Sequence, residues 1–174
     1  MKIGLIGAGR LGICLALLIE KAGYEVLASD NRVDYVNSLQ KGIIDTAEPE
    51  VQQYLSNTNN IEFTTDNIRV IAECDIIFTL VATPSLEDGS YDVSAVWKVI
   101  DDFKNIPILL NEKSLIVGCT TNPGDCNDFQ EALKDTGIDI FYNHSCIISG
   151  KFYILCIRKI LLNFWFSSIN NTFL

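Results

Sequence analysis

The chain has 174 residues, a formal net charge of −9, 48% hydrophobic residues and 20% charged residues. That content suits one folded domain with a real core and excludes an intrinsically disordered chain. The acidic balance excludes non-specific nucleic-acid binding, which needs clustered lysine and arginine.

The first thirty residues organise the rest. Ile3, Leu5 and Ile6 make a short apolar run that ends in Gly7-Ala8-Gly9-Arg10-Leu11-Gly12. An apolar, helix-like segment over 13–22 follows, and Gly23 stops it; residues 25–29 read as a second strand, closed by Asp30. Strand, GxGxxG, helix, strand and acid stand in the order of a dinucleotide-binding βαβ unit. Gly7 allows the tight turn out of the strand, Gly9 lets the backbone approach a pyrophosphate, and Gly12 lets the helix pack closely on the sheet. The pyrophosphate would lie on free N–H groups at the helix N-terminus, where the helix dipole favours an anion. Asp30, eighteen residues after Gly12, is placed to accept hydrogen bonds from the adenosine ribose hydroxyls. A carboxylate there repels a 2′-phosphate, which predicts NAD rather than NADP. Arg32 is the contrary note, since an arginine nearby can hold that phosphate.

Residues 33–40 are predicted as a short helix with Val33, Val36 and Leu39 on one face, ended by Gly42. A loop over 43–49 leads to a helical turn or two over 50–55, then a β-like run over 61–64 and a helix over 67–73. DIIFTLV, residues 75–81, is apolar almost throughout, as buried parallel strands are. Ala82-Thr83-Pro84 breaks it, and a polar loop with Asp88-Gly89 follows. Asp92 or Ser94 can cap a helix running to about residue 104, with Val93, Val96, Val99, Ile100 and Phe103 as its core face. A strand over 114–119, a turn over 120–124, a helix over 126–135 and a last strand over 139–142 complete the pattern. Strands alternating with helices imply an α/β fold, a doubly wound parallel sheet in a single domain over 1–143.

Composition changes after Asn143. Residues 144–174 contain no Asp or Glu and are crowded with Ile, Leu, Phe and Trp165. Arg158 and Lys159 interrupt this irregular apolar tail, leaving no apolar run of the roughly 20 residues a membrane span needs. A docking or membrane-surface helix is the other alternative, although its apolar residues keep to no one face; the preferred reading leaves the tail outside the fold. The six cysteines show no CxxC pair and no zinc spacing, so no metal is predicted, and Cys14 and Cys74 read as buried free thiols. The N-terminus reads as a strand and glycine turn rather than a secretory leader, which points to a reduced, cytoplasmic location without membrane attachment.

Four patches beyond the glycine loop carry a family resemblance. They are residues 43–54 with Glu48-Pro49, FTTD at 63–66, VATPSLEDGSYDVSAV at 81–96 and CTTNPGD at 119–125. Together they resemble the N-terminal Rossmann-type domain of the UDP-glucose and GDP-mannose dehydrogenases. Those enzymes carry an EPGL segment, a V-x-TP loop followed by DG-x-x-DLS, and an STVPPGT turn. The resemblance implies oxidation of a nucleotide sugar's primary alcohol to a carboxylate in two hydride transfers to NAD. It implies that Gly7, Gly9, Arg10, Leu11 and Gly12 line the pyrophosphate and that Asp30 meets the adenosine ribose. Thr83 would touch the cofactor from the end of its strand, and Thr120 would do so near the nicotinamide.

The departures are as informative. Asp34 and Tyr35 occupy the region where the family usually has Lys or Arg, and Gly118 replaces the lysine that often precedes its ST turn. The NPEFL-x-EG-x-A segment and the GFGGxCFPKD-like nucleophilic cysteine motif are not found. The family's thiolate holds the aldehyde as a thiohemiacetal and then a thioester, so that a second hydride can leave before hydrolysis. No catalytic role is therefore transferred to Cys119, Cys126, Cys146, Cys156 or His144. The expectation is a truncated, catalytically incomplete NAD-binding domain that meets a UDP-sugar only beside a complementary catalytic domain. It would be prone to self-association through exposed apolar surface. A non-catalytic NAD-binding regulatory or interaction module is the alternative.

Overall fold

The apolar run at the N-terminus becomes the central strand of a six-stranded sheet. β1 (Lys2–Ile6), β2 (Glu25–Ser29), β3 (Ile61–Thr64), β4 (Ile76–Thr79), β5 (Ser114–Val117) and β6 (Asp139–Tyr142) lie in the order β3-β2-β1-β4-β5-β6. Every pairing is parallel, with Ile3 opposite both Val26 and Ile76, and Leu115 opposite Ile77 and Ile140. This computed structural model describes residues 1–48, 50–107 and 110–143. Pro49 and the apolar tail over 144–174, with His144, Cys146 and Cys156, lie outside the described residues.

Helices α1 (Arg10–Lys21), α2 (Val33–Gln40) and α3 (Val51–Leu55) follow the first two strands; α4 (Asn67–Glu73), α5 (Ser94–Asn105) and α6 (Asp125–Leu133) come later. They bury both faces of the sheet, which is why the central strands are apolar without alternation. On one face Ile3, Leu5, Val26, Ala28, Phe63 and Phe78 pack with Ile13, Ala16 and Ile19 of α1, Leu39 of α2 and Leu55 of α3. On the other, Ile6, Leu27, Ile77, Leu115 and Val117 pack with Val70 and Ile71 of α4, Ile100 and Phe103 of α5, and Phe129 of α6. Phe103 and Phe129 are among the largest fully buried side chains, each contributing roughly 1.5–3 kcal/mol by removal from water. Trp97 meets Phe129 edge to face, ring centroids 4.9 Å apart, and so ties α5 to α6.

The doubly wound Rossmann-type order expected from the sequence is the one formed; β4 and β5 end at Thr79 and Val117, each two residues short of the expected ends, and four further details differ. α1 starts at Arg10 rather than at residue 13, so the last three residues of the fingerprint already belong to its first turn. Val33 does not share the core face with Val36 and Leu39; as the first residue of α2 it is 60% exposed. α6 begins at Asp125, just after Gly124 at a φ of 100°. Asp92 does not cap α5 as its N-cap residue, which is Val93; its carboxylate instead accepts from the Ser94 N–H at 2.9 Å.

The chain order reverses between β1 and β4. After β1 it winds outward through β2 and β3, and it then returns to β4 on the other side. The carboxyl ends of these two strands therefore diverge in their connections, leaving a crevice between them. Such a switch point is where open α/β sheets take ligands.

Candidate dinucleotide site

Gly7 leaves β1 with a φ of +102°, a conformation that side-chain-bearing residues rarely adopt. The N–H groups of Gly7 and Ala8 both donate to the Ser29 carbonyl at 2.9 Å, which pins the loop to the end of β2. Gly9 precedes α1 without offering any side-chain cap, and the first helical bond runs from Ile13 N–H to the Gly9 carbonyl at 2.9 Å. The N–H groups of Arg10, Leu11 and Gly12 thus stand outside the helical ladder, at the positive end of a twelve-residue helix. A Cβ on Gly12 would stand 2.0 Å from the Gly7 carbonyl oxygen, whereas one on Gly9 would meet nothing closer than Arg32 Nη2 at 3.9 Å. The first glycine of this pair is demanded by packing. The second keeps open space in front of the loop.

That space is a crevice of about 950 Å³, lined among others by Gly7, Gly9, Arg10, Leu11 and Asp30. Five of the sequence-predicted residues thus share one wall, and Gly12 stands directly behind Gly7. Thr83 and Thr120, both half-buried, follow β4 and β5 at the same carboxyl edge but do not line this wall. The predicted residues fit a dinucleotide: free N–H groups face a cleft of ligand size, and an acid stands at the end of β2.

Asp30 is nearly buried and is not free. Arg32 donates from its backbone N–H at 3.0 Å and from Nε at 2.8 Å to Oδ1, and from Nη2 at 2.9 Å to Oδ2. The Arg32 guanidinium, held above its usual range chiefly by this bond, lies 4.0 Å from the Tyr35 ring centroid. Tyr35 in turn donates its hydroxyl to the Ala8 carbonyl at 3.1 Å, and burial pushes its own pKa up. Arg10 Nε is paired with Glu48 across the mouth of the loop.

Sequence reading missed a second polar group in the crevice. Ser29 Oγ is 2.7 Å from Asn67 Oδ1, and Asn67 Nδ2 donates to Asp102 Oδ2 at 2.9 Å. This chain ties the end of β2 to the first residue of α4 and to α5. Asn67, Lys98 and Asp102 all line the crevice. The signal was present as helical spacing: Ala95, Lys98 and Asp102 recur at i, i+3 and i+7 beside the apolar stripe of α5.

Three of the thiols, Cys14, Cys74 and Cys119, are made poor nucleophiles by burial. Burial pushes Cys74 and Cys119 up to about 11, and Cys14, half-buried, is raised for the same reason. Cys119 is further occupied in donating to the Thr79 carbonyl at 3.3 Å. Among the described residues, no helix is long and apolar enough to cross a membrane.

Strand order, glycine loop and terminal acid are those of a Rossmann-type dinucleotide-binding domain. The family model described as the UDP-glucose/GDP-mannose dehydrogenase family, NAD binding domain, matches residues 1–151, and the chain belongs to this family. A putative UDP-glucose 6-dehydrogenase, YtcA, of Bacillus subtilis strain 168 is 30% identical over 138 residues, covering 79% of this chain and 32% of that protein. The solved UDP-D-ManNAc dehydrogenase of Pyrococcus horikoshii superposes with a TM-score of 0.77 at 18% identity, over 87% of this chain and 38% of that one. GDP-mannose dehydrogenase from Pseudomonas aeruginosa, solved as a ternary complex, gives 0.75 at 20% identity, over 87% and 38%. The two structures share the fold. The chain spans about a third of the length of the UDP-glucose 6-dehydrogenases among the curated relatives it matches.

Proposed function

We propose that residues 1–143 bind NAD as the cofactor domain of a nucleotide-sugar dehydrogenase and have no turnover by themselves. The observation that carries the reading is the junction of Gly7, Gly9 and the first turn of α1 with Asp30 on one wall of the switch-point crevice. There the N–H groups of Arg10, Leu11 and Gly12 would take the pyrophosphate, and Asp30 would meet the adenosine ribose. Arg10, 76% exposed and tied to Glu48 only at the surface, is free to turn toward the phosphates. Thr83 and Thr120 would border the nicotinamide half. Bound NAD supplies a hydride acceptor; this chain supplies its binding and orientation. A UDP-sugar would be oxidised only where a complementary domain brings a reactive thiol, a role that Cys74 and Cys119, held protonated, do not fit. Free thiols at Cys14, Cys74, Cys119 and Cys126 suit a reduced, cytoplasmic setting. Exposed Ile43, Ile68 and Leu86 favour self-association.

The test is titration of the purified chain with NADH, followed by nicotinamide fluorescence. Saturable enhancement is expected, and a folded sample without it sinks the reading. Mixing the chain with NAD and UDP-glucose should leave absorbance at the NADH wavelength flat; turnover would overthrow the claim of incompleteness.

A further inference from the structure

We infer that this crevice accepts the 2′-phosphorylated dinucleotide NADP(H) alongside NAD(H), with Arg32 and Asn31 holding the added phosphate. The inference rests on the dinucleotide-binding reading above and goes beyond it in ligand class. An acid at the end of β2 ordinarily selects NAD in two ways: it accepts from the ribose hydroxyls, and its bare charge repels a phosphate on the 2′ position. Paired with Arg32, Asp30 keeps one acceptor for a ribose hydroxyl and loses most of that repulsion.

A carboxylate offers roughly four lone-pair sites. Arg32 uses three of them on Asp30, two on Oδ1 and one on Oδ2. One acceptor site remains on Oδ2, where two ribose hydroxyls would need two. The Asp30 side chain is only 7% exposed and is held at both oxygens, so it cannot turn to present another. Its charge is also offset by the guanidinium, which is the part of the pair that faces solvent, 56% exposed.

Arg32 is fixed where a phosphate would need it. The Tyr35 ring forms a shelf beneath the guanidinium at 4.0 Å, and the Tyr35 hydroxyl bond to Ala8 anchors that shelf to the glycine loop. The guanidinium also stands within 3.9 Å of the Cβ position of Gly9, so it borders both the ribose acid and the pyrophosphate loop. A guanidinium engaged by Nε and one Nη2 proton retains further N–H donors, and its planar fork matches phosphate oxygens bidentately. Asn31 lines the crevice beside it and adds an amide donor. Lys98 of α5 also lines the crevice and contributes a cation, set against the carboxylates of Asp101 and Asp102. Asp102 already accepts from Asn67, and neither carboxylate adjoins Arg32 in sequence.

NADPH and NADH are titrated separately against the full chain, its Arg32→Ala variant and its Arg32→Lys variant, with circular dichroism confirming that each is folded. Wild type should bind NADPH with a Kd within about tenfold of that for NADH. Arg32→Ala should lower the preference for NADPH over NADH by at least about tenfold, the loss expected for a charge-assisted phosphate contact, and Arg32→Lys should restore part of it. Saturable NADH binding with no NADPH binding would overturn the inference and leave NAD binding intact. Equal NADPH preference in wild type and Arg32→Ala would overturn the role of Arg32. Failure of both nucleotides to bind folded wild type would remove the dinucleotide reading itself, and this inference with it.

Discussion

The carbonyl oxygen of Gly7 lies 2.0 Å from the point where a Cβ on Gly12 would stand. The turn out of β1 and the first turn of α1 are thus packed backbone against backbone. Gly12→Ala has to push the helix off the loop, a change expected to remove at least about 2 kcal/mol of stability. Gly9→Ala meets only open space and the Arg32 side chain at 3.9 Å. Its melting temperature should stay at or slightly above that of wild type, while NADH affinity drops at least about tenfold if the pyrophosphate approaches the loop as proposed, where the new methyl group would stand. Melting curves and nucleotide titrations on the two variants should separate these outcomes. Equal destabilisation of both would count against the distinction.

Asn67 joins Ser29 to Asp102 across the crevice, and Ser29 is fully buried. Asn67→Leu keeps the volume and strips both bonds, leaving the Ser29 hydroxyl with only its 3.4 Å contact to the Leu5 carbonyl. A loss of about 1–3 kcal/mol in urea denaturation is expected. A neutral result would show that water replaces the amide.

Leu39 and Val33 stand on the same short helix with opposite consequences. Leu39 is buried to 1% exposure and Val33 is 60% exposed. Truncation to alanine should cost about 2–5 kcal/mol at Leu39 and stay within about 0.5 kcal/mol at Val33. Chemical denaturation of the two variants checks both, and comparable losses would restore Val33 to the core.

Alkaline stability should fall in a defined window. The Cys74 and Cys119 thiols titrate near 11 in the folded chain, against 9.0 for the free group, because burial disfavours the thiolate. A folded pKa above the unfolded one means the unfolded chain loses its protons first. Stability from these thiols is therefore full below pH 9.0 and declines toward pH 11, by on the order of 2 kcal/mol per thiol. Denaturation at pH 8 and pH 10.5, repeated on Cys74→Ala and Cys119→Ala, should show the decline shrink in each variant.

Acid acts through a different cluster. Glu73 accepts from both Lys2 and Arg69, and these bonds hold its carboxyl at about 2; Glu62, paired with Arg69, is lowered as well. Both folded pKa values lie below the unfolded ones, so this contribution is present above pH 4.5 and is lost as pH falls toward 2. The groups are largely exposed, and added salt should shrink the effect. Acid titration of Glu73→Gln at low and high salt tests this; an unchanged profile would dismiss the network.

Much of this protein was legible before folding. Periodicity placed α2, α4, β3 and β6 at their observed bounds, because each is a short element whose apolar spacing and flanking polar residues leave one register. The positions of Gly7, Gly9 and Gly12 in the turn after β1, and of Asp30 after β2, followed from spacing alone, since a βαβ turn restricts which positions tolerate a side chain. Contacts between distant segments were not legible. Asn67 meets Asp102 across 35 residues only because two helices pack on one sheet face. Arg32 and Asp30 are two residues apart, and sequence alone allowed either a free acid with a nearby cation or a closed ion pair. Tertiary structure decided it: burial of Asp30 and the Tyr35 shelf hold the guanidinium against the carboxylate, and so set the charge at the end of β2. Local chemistry determined that this chain forms a dinucleotide turn; long-range packing determined what stands around it.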